Sequence, residues 1–348
     1  MIQYIIRRLL ILPVVMLLVT LILFFFMLQM PPEQRAEVYM PELRPTITEE
    51  ERAQIVQTIV ERYGLDRPFP VQYVTWVRGL LAGEWGWSPS WTQPVLEGLL
   101  QRAPATAELV LAAMAPSVIL ALSLGSFASR QRNRLPDHMV RAATFVGWAF
   151  PSFILGLMLM NVFYAWLDWF PPERLSIWAS PIVHAEEFHT YTGMYTVDAL
   201  LNGELRIFWD ALRHLVLPAV TLAVVEWALL TRIMRSSMLE ALTQDYITTA
   251  RSKGVPERRV VNLHARRNAL LPVISTGGVV ASMLVSGIVV VEIIFSFNGI
   301  GGASAEAIVR ADIPVALGFT IFTCMVTVLA SLIADVLYGA VDPRVRLY

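Results

Sequence analysis

Apolar residues in this 348-residue chain run in long blocks rather than alternating with polar ones. Residues 9–30, 109–129, 142–167, 268–291 and 313–334 are free of charge, and each is about the 20 residues a helix needs to cross a bilayer. A shorter run, 214–231, carries one acid, Glu226, and its flanks make it a further span. The pattern predicts six transmembrane helices.

Between the blocks the period changes. In segment 31–104, Thr48-x-x-Glu51 is a capping-box pattern. Ile55, Val56, Ile59, Val60 and Tyr63 follow at helical spacing, and Gly64 is placed to end that helix. Tyr73, Trp76, Val77, Leu80 and Leu81 mark a second amphipathic run. These helices either pack on the outer membrane surface and each other or form a docking platform, and the two readings are compatible. Trp85, Trp87 and Trp91 read as interfacial anchors, with stacking on a sugar or peptide as the alternative.

The polar stretch 236–270 has a different character. It holds the only lysine of the chain, Lys253, and a series of arginines. Leu239 to Arg251 is expected to form a short helix, Gly254 a turn, and Pro256 the first turn of a following helix with Val260, Val261 and Leu263 on its apolar side. A rigid two-helix knob transmits displacement. A loop that merely contacts lipid headgroups explains the charge but not the paired helices and turn.

Composition places the chain in the membrane class: 56% hydrophobic, 16% charged, mean hydropathy +0.57. Arg7-Arg8 before the first block resembles a secretory signal, but the block is long and no small-x-small site follows it. It is expected to be a retained helix. With the N-terminus inside, sixteen basic residues fall on inner segments and four on the two shorter outer ones. The positive-inside rule then puts both termini in the cytoplasm. The lone Cys324 excludes an intrachain disulfide.

Candidate chemistry is sparse. His184-x4-His189 around Glu186-Glu187 invites a metal reading, but the spacing does not fit the zinc-protease pattern, so no metal site is expected. Ionisable residues inside spans are functional candidates. Asp335 is expected to pair at the interface with Arg344 and Arg346. Glu292 precedes the glycine-rich turn Phe295-Ser-Phe-Asn-Gly-Ile-Gly-Gly302, expected to be a re-entrant or gate-forming turn that lines a cavity. Glu226, in mid-span, is expected to line the pathway or to be held structurally. A Walker A loop needs Gly-Lys-Ser/Thr; Lys253 lies between Ser252 and Gly254, so ATP chemistry must come from another chain.

Several motifs together carry a family resemblance: Tyr4-Ile-Ile-Arg-Arg-Leu-Leu, Tyr63-Gly-Leu-Asp-Arg-Pro68, Pro70-Val-Gln-Tyr73, Pro104-Ala-Thr-Ala-Glu-Leu109, Phe150-Pro-Ser-Phe153, His214-Leu-Val-Leu-Pro-Ala219, Val289-Val-Val-Glu292 and Leu337-Tyr-Gly-Ala-Val-Asp-Pro-Arg344. In this order they resemble the first permease of dipeptide/oligopeptide/nickel-type ABC importers over nearly the whole length. The inner loop resembles that family's coupling signature at Asp245, Tyr246, Thr249, Ala250, Arg251, Lys253 and Gly254, then Asn268-Ala-Leu-Leu-Pro272. It departs from the generic Glu-Ala-Ala opening, with Thr248-Thr249-Ala250 there, and 30–46 lacks the usual Pro-Gly-Asp-Pro.

The resemblance implies an all-α polytopic membrane protein of the type I importer permease fold. Residues 1–30 would be the first span, 31–104 an extracytoplasmic helical insertion, 105–341 the permease core and 342–348 a cytoplasmic tail. Implied partners are a second homologous permease, two ATPases that bind ATP and Mg, an extracytoplasmic binding protein and membrane lipid, with no nucleic acid and no cofactor on this chain. The implied location is the prokaryotic cytoplasmic membrane. Glu226 stands where the family usually has a small or apolar residue. Short peptides lead as cargo, with oligosaccharides, nickel complexes and glutathione-like compounds as alternatives. The rivals from other classes are a proton-coupled secondary transporter using Glu226 or Glu292, and a polytopic membrane enzyme.

Overall fold

The computed structural model describes residues 2–40 and 48–341. The chain divides into two compact units.

Residues 6–104 and 299–328 make one unit. It contains most of α1 (Ile2–Met27), then α2 (Pro32–Ala36), α3 (Glu49–Tyr63) and α4 (Phe69–Leu81). The capping box forms as the sequence requires: Thr48 Oγ1 accepts from the Glu51 N–H and the Glu51 carboxylate accepts from the Thr48 N–H. Those bonds hold the Glu51 carboxyl below its ordinary pKa. Gly64 closes the helix at φ +60, and the Leu65 N–H reaches back to the Val60 carbonyl. On α4, Trp76 is buried against Phe24, ring centroids 5.4 Å apart. Leu81, expected on the same face, is instead 84% exposed, because α4 ends there.

Arg35 of α2 is buried, donating to Gln72 Oε1 at 2.5 Å and the Leu65 carbonyl at 3.0 Å. Desolvation lowers its pKa. The all-helical expectation needs one amendment: β1 (Trp87–Ser88) and β2 (Gln93–Pro94) pair antiparallel. Asp312 ties this corner, accepting from Ser88 Oγ at 2.6 Å and the Ser90 N–H at 3.0 Å. Trp91 packs under Arg102, whose guanidinium sits 4.5 Å from the ring. The structure thus gives Trp91 an internal role. Val95 and Leu99 pack with Ile300, Ala307 and Val315 from α14 (Ile300–Val309) and α15 (Ile313–Val341).

Residues 1–5, 105–298 and 329–348 make the other unit. Its core gathers Leu109, Leu215, Leu222, Met234, Val273, Val291 and Phe295 from α5 (Val95–Arg130), α10 (Leu205–Leu242) and α13 (Arg266–Ile294) with their neighbours. The expected span 268–291 lies within α13. The expected span 214–231 lies within the 38-residue α10, roughly 57 Å at 1.5 Å per residue. It continues through Pro218.

The expected uninterrupted span 142–167 is broken. α6 (Leu135–Ala149) and α7 (Ser152–Leu159), with a π-helical continuation Met160–Trp166, meet at 100°. Phe150 is extended at φ −86, ψ 127 because it precedes Pro151, whose ring disfavours the helical conformation for its neighbour. Among the described residues four helices are long and apolar enough to cross a membrane, and a fifth results if this bent pair is one span.

Segment 168–213 is a folded lobe with its own core, including Leu175, Ala179, Phe188 and Ile207. It contains α8 (Ser180–Val183) and α9 (Tyr195–Leu201), and two buried carboxylates, Glu108 and Asp198, tie its backbone. Glu108 accepts from Arg174 at 2.8 Å and from the N–H and Oγ1 of Thr196, both at 2.7 Å. Asp198 accepts from the Thr192 and Gly193 N–H groups. His184 Nδ1 lies 2.7 Å from the Ser180 carbonyl and the His189 N–H donates to Asn202. Among the described residues no group of three metal-ligating side chains converges.

Of the acids singled out in the spans, Glu292 is buried and accepts from Thr106 Oγ1 at 2.6 Å. In the turn after it Phe295 and Phe297 are both buried in the core. Its left-handed positions are Ser296 and Asn298 rather than the glycines. Glu226 is buried along α10. Asp335 lies on α15, and its expected partners Arg344 and Arg346 lie outside the described residues.

Candidate functional site: the segment between α10 and α13

α10 ends at Leu242, and Gln244 is extended (φ −77, ψ 151) before α11 (Asp245–Ser252) begins. The expected continuous helix from Leu239 to Arg251 is therefore two helices with a corner at Thr243-Gln244. Asp245 sits in the first turn of α11 and Arg251 in the last, each favourably placed on the helix dipole.

The end of α11 is a complete Schellman motif. The Val255 N–H bonds the Ala250 carbonyl at 3.2 Å and the Gly254 N–H bonds the Arg251 carbonyl at 2.9 Å. Gly254 has φ +72, and a Cβ there would meet nothing within 4 Å. The demand for glycine at this position is one of backbone conformation alone. Val255 packs on the same core as Ala250, completing the hydrophobic contact of the motif.

Beyond the turn, Pro256 is extended and precedes α12 (Glu257–Arg259), one position outside the helix in which it was expected. A π-helical segment Val260–Ala265 then runs directly into α13, so there is no separate second helix. Val260 and Val261 are buried as expected, but Leu263 is 54% exposed.

The faces of α11 sort by burial. Ile247 and Ala250, three residues apart, point into the core of the chain. Asp245, Tyr246, Thr249, Arg251, Lys253 and Gly254 are exposed. Ala250 therefore turns inward while Tyr246 turns out. Arg251 spans the glycine turn to Glu257, Nη2 to Oε1 at 2.7 Å and Nε to Oε2 at 3.1 Å. This pairing raises the Arg251 pKa and lowers that of Glu257. Among the described residues Lys253 makes no ion pair. Arg130 at the end of α5 donates to Asn262 and anchors the π segment.

The sequence reading missed Ile247 and Glu257. The i, i+3 pair of Ile247 with Ala250 was a visible signal for the inward face. Glu257 had none, because its partner lies across a turn. The result is a short, pinned helix with a polar outer face bearing one aromatic ring, and it contains no catalytic constellation. Glu226 and Glu292 both lie outside this segment.

The comparisons with known proteins agree along the chain. Residues 121–347 match the family model described as binding-protein-dependent transport system inner membrane component. Residues 1–110 match the corresponding N-terminal model. The chain is 39% identical over 292 residues to a probable D,D-dipeptide transport system permease protein of Escherichia coli, covering 84% of each. It is 38% identical over 288 residues to a di/tripeptide transport system permease protein of Pseudomonas aeruginosa, covering 82% of this chain and 84% of that one. With an oligopeptide transport system permease protein of Bacillus subtilis the identity is 36% over 303 residues, 87% of each. This chain belongs to the family of binding-protein-dependent transport system inner membrane components.

Proposed function

We propose that this chain is one of two homologous permease subunits of an ATP-driven importer of short peptides, and that α11 is the handle gripped by a partner ATPase. A family member of this kind is a transport permease rather than a catalytic enzyme; two ATPase subunits supply ATP hydrolysis and an extracytoplasmic binding protein delivers cargo. The names of the three relatives, all peptide permeases, favour peptides over oligosaccharides, nickel complexes or glutathione-like compounds.

In this reading α1, α5, the α6–α7 pair, α10, α13 and α15 are six spans of a type I importer permease. Both termini and α11 are cytoplasmic, and residues 31–104 and 168–213 lie outside. Glu226 and Glu292 are candidates for the pathway.

One observation carries the coupling assignment: α11 is closed by a Schellman turn and held on the core by Ile247 and Ala250. A push on its outer face therefore moves α10 and α13 with it. Ala250→Glu would bury an unpaired charge within this chain and does not test docking. Tyr246→Asp with Lys253→Glu alters only exposed positions. This double variant is expected to insert and melt like the wild type, and to lose both ATPase co-purification and ATP-driven dipeptide uptake in proteoliposomes with ATPases and binding protein. Wild-type association and uptake would remove α11 as the handle. Uptake without ATPases would make the protein a secondary transporter.

A further inference from the structure

Between α6 and α10 lies a cavity of about 460 Å³ that the coupling segment does not use. Its lining includes His138, Arg141, Trp148, Thr231, Arg232 and Arg235, with no acidic residue. Arg235 is committed, gripping the buried Asp137 through both of its oxygens at 2.5 and 2.7 Å. Arg141 and Arg232 make no ion pair among the described residues. The Arg232 guanidinium stands 5.5 Å from the Trp148 ring centroid, a placement that steadies its plane. Thr231 is buried, and its Oγ1 has no hydrogen-bond partner.

Two guanidinia outside any close ion pair, a buried hydroxyl without a partner and walls of Phe145 and Trp148 are the complement of a phosphate ester carrying apolar chains. Guanidinium forks match phosphate oxygens, and basic pockets between transmembrane helices on the cytoplasmic side suit anionic headgroups. We propose that this cavity binds the phosphate headgroup of an anionic phospholipid, which would brace α6 against α10. The inference rests on the orientation proposed above, in which these arginines lie at the cytoplasmic interface.

The full chain, purified with the subunits it assembles with, is offered phosphatidylglycerol or phosphatidylcholine in detergent and read by native mass spectrometry. Phosphatidylglycerol should be retained in preference. Arg141→Gln with Arg232→Gln should weaken its retention about thirtyfold, the loss of two interfacial charges. Arg141→Lys with Arg232→Lys should keep a larger share, and Arg78→Gln on α4 should change nothing. Equal retention of the two lipids overturns the proposal, as does unchanged retention in the Gln variant. So does displacement by inorganic phosphate at equal concentration, which would mark a free-anion site. If a partner helix fills the cavity in the assembled complex, no lipid is retained and the proposal likewise fails. The assay is done in detergent and does not depend on orientation, which the cysteine labelling described below reads separately.

Discussion

Arg251 and Glu257 meet across the Gly254 turn in a two-pronged contact at 2.7 and 3.1 Å. The pair bridges the end of α11 and the start of α12, the point at which a displaced α11 would pull on α13. Both side chains are substantially exposed, so their effect on global stability is small, under about 1 kcal/mol. Glu257→Arg should reduce ATP-driven uptake at unchanged membrane abundance, and the exchanged pair Arg251→Glu with Glu257→Arg should recover most of it. An exchanged pair as inactive as the single variant would show that the residues act separately. Because Glu257 is held below its ordinary pKa, the contribution of the pair is present above about pH 4.3 and lost as pH falls through the lowered value. The melting difference between wild type and Glu257→Gln should therefore narrow in acid.

Gly254 tests the turn itself. Its φ of +72 meets open space, so only backbone strain opposes substitution, about 1–2 kcal/mol for an ordinary residue. Asparagine tolerates this region better than alanine, and valine worst. ATP-driven uptake at matched expression should fall in the order Gly254→Asn, Gly254→Ala, Gly254→Val. Full uptake with valine would show that transport does not need this geometry.

Asp137 is wholly buried and Arg235 partly so, with the Asn133 N–H also donating to Asp137. Removing one member of such a pair costs about 3–5 kcal/mol. Since Arg235 keeps some exposure, Asp137→Asn should fall at the lower end of that range. Thermal melting of the purified protein reads it, and a change below about 1 kcal/mol would mean that water replaces the carboxylate.

Orientation is read by single cysteines in a Cys324→Ala background. Glu50→Cys on α3 and Ile177→Cys in the 168–213 lobe, both exposed, should react with an impermeant maleimide on intact cells. Ser252→Cys should react only after permeabilisation. Labelling of Ser252→Cys from outside would reverse the topology.

Thr48→Ala removes the cap of α3 and should cost about 1 kcal/mol. The Glu51 amide, which now donates to Thr48 Oγ1 at 3.3 Å, should then exchange faster with solvent. Unchanged exchange would mean that the carboxylate of Glu51 alone holds that turn.

Local devices were legible because they are written within a few residues. Thr48 and Glu51 cap each other over one turn, and Gly64 and Gly254 take the positive φ that only glycine adopts at little cost. The charge-free blocks announced their helices for the same reason, since each block had to satisfy its backbone alone in lipid. The Schellman residues of the segment between α10 and α13 were likewise local, and the family motifs placed them.

Which way those helices face was decided elsewhere. α11 has only eight residues, and the spacing of Ile247 and Ala250 marks a face without saying what it packs against. That depends on Val260, Val261 and the core they share. The 100° bend needed Pro151, but a proline can also be absorbed, as Pro218 is within α10, and packing chooses between the two. Thr106 found Glu292 across 186 residues and Glu108 found Arg174 across 66, because a buried carboxylate requires donors wherever the fold supplies them. The sequence by itself determined the helices, their caps and the polar segment between α10 and α13. Tertiary structure decided burial, bend and pairing, since these depend on surfaces that exist only once distant segments have met.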